Sequence, residues 1–314
     1  MDKVTIFGAG HVGATAAFYL ALSASLDIAL VDIEEGKARG LALDIGQSLP
    51  YTGSGSTVRG GTDPELCDGS DLVVITAGSP RLPGMSRLDL TAKNAPAVSA
   101  IAKSAARFAP GAVLVVVTNP VDEMTYLARE SSGLEASRVI GMAGVLDTSR
   151  FLYFLDNLAS LPPRDVNALV LGTHGDDMVP LPDWSRAGDA PLLESVEPDL
   201  LEEVIRRTRD GGAEIVSHLR LGSAYFAPAV SIGVTALAVL GDTGRVLPVS
   251  AYLEGQYGIE GIFLGVPARL GRSGVLEVLE LPLSSGERER LERSAEGVRG
   301  RISGLDWRAS DAGD

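Results

Sequence analysis

Cysteine is almost missing from this chain. Cys67 is the only one in 314 residues, which excludes an intrachain disulfide and points to a reducing compartment. Histidine is nearly as scarce: His11, His174 and His218 make up the full set, and no Cys/His cluster offers a metal site. Positive charge is also short. Lys and Arg total 27 against 41 Asp and Glu, a formal net charge of −14. That balance argues against nucleic acid or an anionic membrane surface as a partner. An anionic substrate would have to be held by local arginines against the overall field. No apolar run reaches the roughly 18 residues that a membrane span needs. Met1-Asp2-Lys3-Val4 leads directly into a strand without a signal peptide. The expectation is a soluble, cytoplasmic protein.

Lysine is the rarer of the two strong bases, with only Lys3, Lys37, Lys93 and Lys103. A salt-rich cytoplasm suits such a composition, because counter-ions screen the self-repulsion of excess acid. A nucleotide-composition bias towards Arg, Ala and Gly is the alternative. Salt adaptation predicts a melting temperature that rises with KCl; a flat or falling curve contradicts it.

The hydrophobic fraction of 45% permits a sizeable core, and the length accommodates two domains. The first half alternates apolar strands with helical stretches. Val4-Thr5-Ile6-Phe7, Ile28-Ala29-Leu30-Val31, Thr57-Val58-Arg59, Leu72-Val73-Val74-Ile75, the valine-rich run 113–117 and Arg138-Val139-Ile140 read as strands. Helices are expected over 34–49, 92–108 and 121–131, with an irregular segment over 76–87. This pattern predicts a doubly wound parallel α/β sheet, a Rossmann arrangement, over residues 1–143. Residues 144–314 differ and are expected to form a second, α+β substrate domain. It has a helix over 147–159, a strand over 166–171, a helix over 200–219 dented at Gly211-Gly212, and a buried Ala/Val-rich stretch over 225–240. Antiparallel strands follow around Gly255 and Gly258, then a last helix with a core stripe from Leu291 to Leu305. The tail after Trp307 is polar and is expected to fray.

Gly8-Ala9-Gly10-His11-Val12-Gly13 lies between the first strand and the first helix. As a string it is weak; in a strand–turn–helix–strand context it is strong. Gly8 permits a tight turn, Gly10 lets a pyrophosphate approach the backbone, and Gly13 lets helix and strand pack closely. The helix N-terminus then offers N–H groups to phosphate. Asp32 closes the second strand, where a carboxylate accepts the ribose hydroxyls and repels a 2′-phosphate, which favours NAD over NADP.

His174 stands between glycines in Gly172-Thr173-His174-Gly175-Asp176, at the end of an apolar run. Imidazole titrates near neutral pH and can exchange protons; a strand-end cap is the plain alternative. Arg81 and Arg87 lie in a long loop, where arginines can clamp a carboxylate on closure or simply face solvent. Asp147 and Arg150 share a helix face, although a surface ion pair is the commoner outcome of that spacing. Asn119 precedes Pro120 at the end of the valine strand, where it serves either as a hydrogen-bonding amide or as a turn residue. His11 fills a turn position and His218 a helix surface.

Five segments together carry a resemblance. Gly8-Ala9-Gly10-His11-Val12-Gly13, Thr76-Ala77-Gly78-Ser79-Pro80-Arg81-Leu82-Pro83-Gly84-Met85-Ser86-Arg87, Val117-Thr118-Asn119-Pro120-Val121-Asp122, Leu146-Asp147-Thr148-Ser149-Arg150-Phe151 and Gly172-Thr173-His174-Gly175-Asp176 occur in order over nearly the whole chain. They resemble the lactate/malate dehydrogenase family, and within it the lactate-dehydrogenase-like malate dehydrogenases. The resemblance implies an NAD-dependent enzyme that interconverts (S)-malate and oxaloacetate. His174 would be the general acid/base and Asp147 its orienting carboxylate. Arg150 would grip the C1 carboxylate, Arg87 and Asn119 would address the C2 oxygen, and Arg81 would select the second carboxylate. Ser223 matches a small polar wall of the pocket. Asn94, Val117, Thr118 and Asn119 match cofactor-contacting positions, beside Ala9, His11 and Val12 of the glycine turn. Asp177 departs from the usual small hydroxyl residue and adds negative charge near His174.

An L-lactate dehydrogenase is the alternative within the class; Arg81 stands against it, because a methyl group would leave its guanidinium unpaired. A non-catalytic NAD-sensing module is the alternative from another class, and it leaves His174, Asp147, Arg150 and Arg87 unexplained. Relatives form dimers or tetramers, so a homo-oligomer is expected. The small-residue stretches Ala16-Ala17 and 42–45 are the candidate contact surfaces.

Overall fold

The computed structural model describes residues 1–80, 84–220 and 222–304. Arg81, Leu305 and the tail after Trp307 lie outside them.

Six parallel strands build the first half: β1 (Lys3–Phe7), β2 (Asp27–Val31), β3 (Thr57–Gly61), β4 (Leu72–Ile75), β5 (Val113–Val116) and β6 (Val139–Gly141). They lie in the order β3-β2-β1-β4-β5-β6, the doubly wound arrangement. Alternate side chains enter opposite faces. Leu72, Val74, Val113 and Val115 join one apolar cluster, and Val73, Ile75, Leu114 and Val116 join the other. Burial on both faces explains why these strands read as unbroken apolar runs. Helices α1 (His11–Ser23), α2 (Glu35–Ser48), α3 (Arg87–Phe108) and α4 (Val121–Ser132) connect them.

Helix α3 begins earlier than the sequence reading. Its first turn is stabilised by a reciprocal cap: the Ser86 hydroxyl accepts from the Asp89 N–H, and the Asp89 carboxylate accepts from the Ser86 N–H. Arg87 is therefore the first residue of a helix and not a loop residue.

The second half comprises α5 (Gly144–Ala159), β7 (Val166–Asn167), β8 (Val170–Gly172), β9 (Met178–Pro180), β10 (Arg186–Ala187), β11 (Ala190–Pro191), α6 (Leu192–Ser195), α7 (Pro198–Leu219), α8 (Phe226–Leu240), β12 (Val246–Glu254), β13 (Glu260–Gly271), β14 (Gly274–Val278) and α9 (Ser285–Ser303). The apolar run 166–171 is split, because β7 pairs with β10 while β8 pairs with β9. Helix α7 passes through Gly211-Gly212 without a break. The antiparallel strands β12 to β14 join the parallel sheet at Ser250↔Gly141, giving nine strands in one sheet. The two halves thus share a continuous backbone ladder.

Ala16, Ala17, Ala42 and Ile45 lie within the chain's own core, so they are not contact surfaces for a second copy. Their small size lets α1 and α2 approach the sheet. Phe18, Leu22 and Leu43 are the exposed apolar residues of these two helices. No described helix is long and apolar enough to cross a membrane.

Candidate active site

The carboxyl ends of β1, β2, β4 and β5 surround the glycine turn. Gly13 cannot be replaced without moving the backbone, because a Cβ there would lie 1.9 Å from the Gly8 carbonyl oxygen. Among the described residues, a Cβ at Gly10 would meet nothing within 4 Å, so they leave this side of the turn open to a ligand. Helix α1 has no capping side chain and no acidic residue in its first turn, leaving its positive end available to an anion. The Asp32 carboxylate accepts from the Ala9 N–H at 2.7 Å and the Glu34 N–H at 3.1 Å, which pins it beside the turn. An open N-terminus with a fixed carboxylate at its side fits a dinucleotide whose pyrophosphate and ribose lie in that order.

The other expected cofactor contacts divide into open and committed groups. His11 is exposed and its ring stacks on Tyr225 at 5.1 Å between centroids. Val12 and Val117 are partly buried against the core. Thr118 is buried, its hydroxyl donating to the Ala77 carbonyl at 2.8 Å. Asn94 is also buried. Its amide donates to the Asn119 carbonyl at 2.8 Å, and its oxygen accepts from the Ser79 N–H at 2.7 Å. Asn94 and Thr118 thus hold the loops together with side chains already bonded within the chain. Asn119 is exposed on the rim of this region.

Across from the turn, β8 ends at Gly172 and presents His174. Asp147 reaches it from the first turn of α5. The His174 Nδ1 lies 2.9 Å from both Asp147 oxygens. A carboxylate only accepts, so Nδ1 donates to it, and in the neutral imidazole that leaves the Nε2 lone pair to take a proton. The Asp147 side chain is 3% exposed and the His174 side chain 21%: the acid is shielded while the imidazole is reachable. One turn along α5, an Arg150 nitrogen sits 3.5 Å from Asp147. Burial lowers the Arg150 pKa, and Asp147 opposes the shift. The Arg150 guanidinium lies against Gly211 and Gly212: a Cβ on Gly212 would be 3.4 Å from one of its nitrogens.

Arg87 reaches the same place from α3. A Cβ on Gly175, which has φ +114°, would lie 2.8 Å from an Arg87 nitrogen, so glycine here admits both the turn and the guanidinium. Arg87 pairs loosely with Asp176 at 3.5 Å and with Asp177 at 3.9 Å. Ser223 is exposed between α7 and α8, two residues from Tyr225. His218 is exposed in the last turn of α7, a surface position. Arg81 lies outside the described residues. No metal-binding group of His, Cys, Asp or Glu occurs among the described residues.

A buried feature lies beneath His174, and Asp122, the last residue of one of the segments that carry the resemblance, belongs to it. Asp122 and Glu123 are fully buried in the first turn of α4. Asp122 accepts from the Thr173 and Ser250 hydroxyls, each at 2.5 Å. Burial, then the neighbouring Glu123, pushes the Asp122 carboxyl up to about 6, against those two bonds and Arg301.

Comparison with known proteins places this geometry. Residues 2–141 match the model of the lactate/malate dehydrogenase NAD binding domain, and residues 144–304 that of the lactate/malate dehydrogenase alpha/beta C-terminal domain. A malate dehydrogenase of Synechocystis sp. is 47% identical over 95% of this chain and 92% of its own length. The solved malate dehydrogenase of Salinibacter ruber superposes with a TM-score of 0.92 at 40% identity, covering 99% of this chain and 100% of that one. A lactate dehydrogenase of Cryptosporidium parvum, solved with lactic acid and β-nicotinamide adenine dinucleotide, reaches 0.94 at 36% identity over 98% of both chains. The chain belongs to the lactate/malate dehydrogenase family.

Proposed function

We propose that this chain is an NAD-dependent malate dehydrogenase that interconverts (S)-malate and oxaloacetate. The observation that carries the reading is the shielded Asp147 carboxylate 2.9 Å from Nδ1 of a reachable His174. When bound, NAD supplies the redox step by accepting the hydride from C2. His174 takes the C2 hydroxyl proton at Nε2. The imidazolium so formed is stabilised by Asp147, whose burial strengthens the attraction. Arg150 takes the C1 carboxylate through two parallel N–H bonds. Arg87 and Asn119 address the C2 oxygen, and Arg81 the second carboxylate. Ser223 closes one wall of the pocket. At the other end, Gly10 would admit the pyrophosphate beside the turn that Gly8 and Gly13 shape, and Asp32 would take the ribose hydroxyls. Asn94 serves by holding the Asn119 backbone.

Arg87 needs release from Asp176 and Asp177 before it can polarise the substrate. Both carboxylates are exposed and both distances are long, so little opposes that movement.

The working division is a cofactor domain over 1–143 and a substrate domain over 144–314. A homo-oligomer, tetramer or dimer, is proposed on the exposed Phe18, Leu22 and Leu43. A cytoplasmic location rests on the single, buried Cys67.

The test is a rate comparison at 340 nm. Oxaloacetate with NADH is expected to turn over at least about 100-fold faster than pyruvate with NADH, because one unpaired guanidinium penalises the methyl group. Pyruvate preferred over oxaloacetate would instead indicate a lactate dehydrogenase. No turnover of either would leave a nucleotide-binding module.

A further inference from the structure

We propose that Asp122 is a positioning residue which, through the Thr173 hydroxyl, holds His174 within reach of the substrate oxygen that Asn119 also addresses. The inference rests on the roles of His174 and Asn119 given above and adds what keeps the two together.

Asn119 and His174 arrive on separate elements. Asn119 precedes α4, whereas His174 follows β8. Both must lie within hydrogen-bond distance of one small oxygen. Asp122 sits three residues beyond Asn119, in the first turn of α4, and Thr173 is the residue before His174. Their 2.5 Å bond is a direct link between the two segments across 51 residues of chain.

The link is held firmly at both ends. The other Asp122 oxygen accepts from the Ser250 hydroxyl of β12. The Thr173 backbone N–H donates to the Ser294 hydroxyl of α9 at 2.8 Å. The neighbouring Glu123 pairs with Arg301 of α9, while its second oxygen and one Arg301 nitrogen are buried without partners among the described residues. Four elements therefore converge on a buried polar knot under His174.

Folding alone gives no reason for that knot. Burying two adjacent carboxylates is unfavourable, and well-packed apolar side chains often stabilise such positions as well or better. A carboxylate differs from an apolar residue in direction: it fixes one hydroxyl at one place. Misplacing a reacting group by about 1 Å costs on the order of 100-fold in rate. Asp122 touches neither substrate nor cofactor on this reading; it acts through Thr173.

The test compares three variants of the full-length protein with NADH and oxaloacetate. Thr173→Val keeps the shape and removes the hydroxyl, so kcat is expected to fall about 10- to 100-fold. NADH affinity and the KM for oxaloacetate should stay within about threefold, because the variant loosens proton transfer and leaves the binding groups in place. Thr173→Ser restores the hydroxyl and should restore kcat. Ser250→Ala removes the hydroxyl that bonds the other oxygen of the same carboxylate, the one not bonded to Thr173. It should lower the melting temperature comparably while kcat changes less than about threefold. Wild-type kcat in Thr173→Val, or equal kcat losses in Thr173→Val and Ser250→Ala that follow melting temperature, would overturn the proposal and leave the active-site reading intact. Full turnover in His174→Asn would overturn both.

Discussion

His174→Asn is expected to bind NADH as the wild type does and to lose at least about 1,000-fold in oxaloacetate turnover. Asparagine can donate an amide N–H to Asp147 and so preserve the hydrogen bond that now runs from Nδ1 at 2.9 Å. It has no basic nitrogen to take a proton at neutral pH. The cofactor cradle proposed around Gly8, Gly10, Gly13 and Asp32 lies elsewhere and does not depend on the imidazole. Stopped-flow fluorescence of bound NADH and initial rates at 340 nm separate the two effects. Loss of both would assign His174 a structural role. Retained turnover would remove it from the chemistry.

The second large effect concerns substrate choice. Arg81→Gln is expected to lower kcat/KM for oxaloacetate by about 1,000-fold and to change that for pyruvate by less than about tenfold. Oxaloacetate carries two carboxylates. Arg150 is proposed for one of them, and Asp147 beside it already takes part of its charge. A second carboxylate inside a chain of net charge −14 needs its own cation. Pyruvate has no such group, and the neutral amide is no worse for its methyl than a guanidinium. Equal losses on both substrates would contradict the assignment of Arg81 as the selector and return lactate chemistry to consideration.

Much of this site was legible because its parts obey local rules. The glycine turn and Asp32 sit at spacings that a strand–turn–helix unit requires, and the doubly wound parallel sheet followed from the alternation of strands and helices. The start of α3 was also written in the chain: Ser86 with Asp89 three residues on is a capping signature. The length of the segment after β4 hid it, and Arg87 was assigned to a loop instead of a helix. Gly211-Gly212 misled in the opposite sense. Two adjacent glycines suggest a weakened helix, but α7 runs unbroken through them beside the Arg150 side chain. The same limitation applies to Ala16, Ala17, Ala42 and Ile45, whose small size reflects close packing within the chain.

Contacts between distant residues left no local trace. Asp147 and His174 are 27 residues apart, and only the family resemblance paired them. The bonds of Asp122 to Thr173 and Ser250 span 51 and 128 residues. Acids in the first turn of a helix are ordinary, favoured there by the helix dipole, so the types of Asp122 and Glu123 alone say nothing of burial. Their full burial comes from α9 and β12 closing over them, which depends on the whole fold. The splitting of residues 166–171 into β7 and β8 has the same origin, since separate partner strands divide an apolar run that periodicity alone leaves whole.

The most direct test is a crystal structure of the chain with NADH and hydroxymalonate, a dicarboxylate that resembles malate. The account predicts its hydroxyl oxygen within about 3 Å of His174 Nε2, with one carboxylate on Arg150 and Arg87 turned from Asp176 towards the ligand. A hydroxyl oxygen remote from His174, with Arg87 still paired to Asp176, would contradict it.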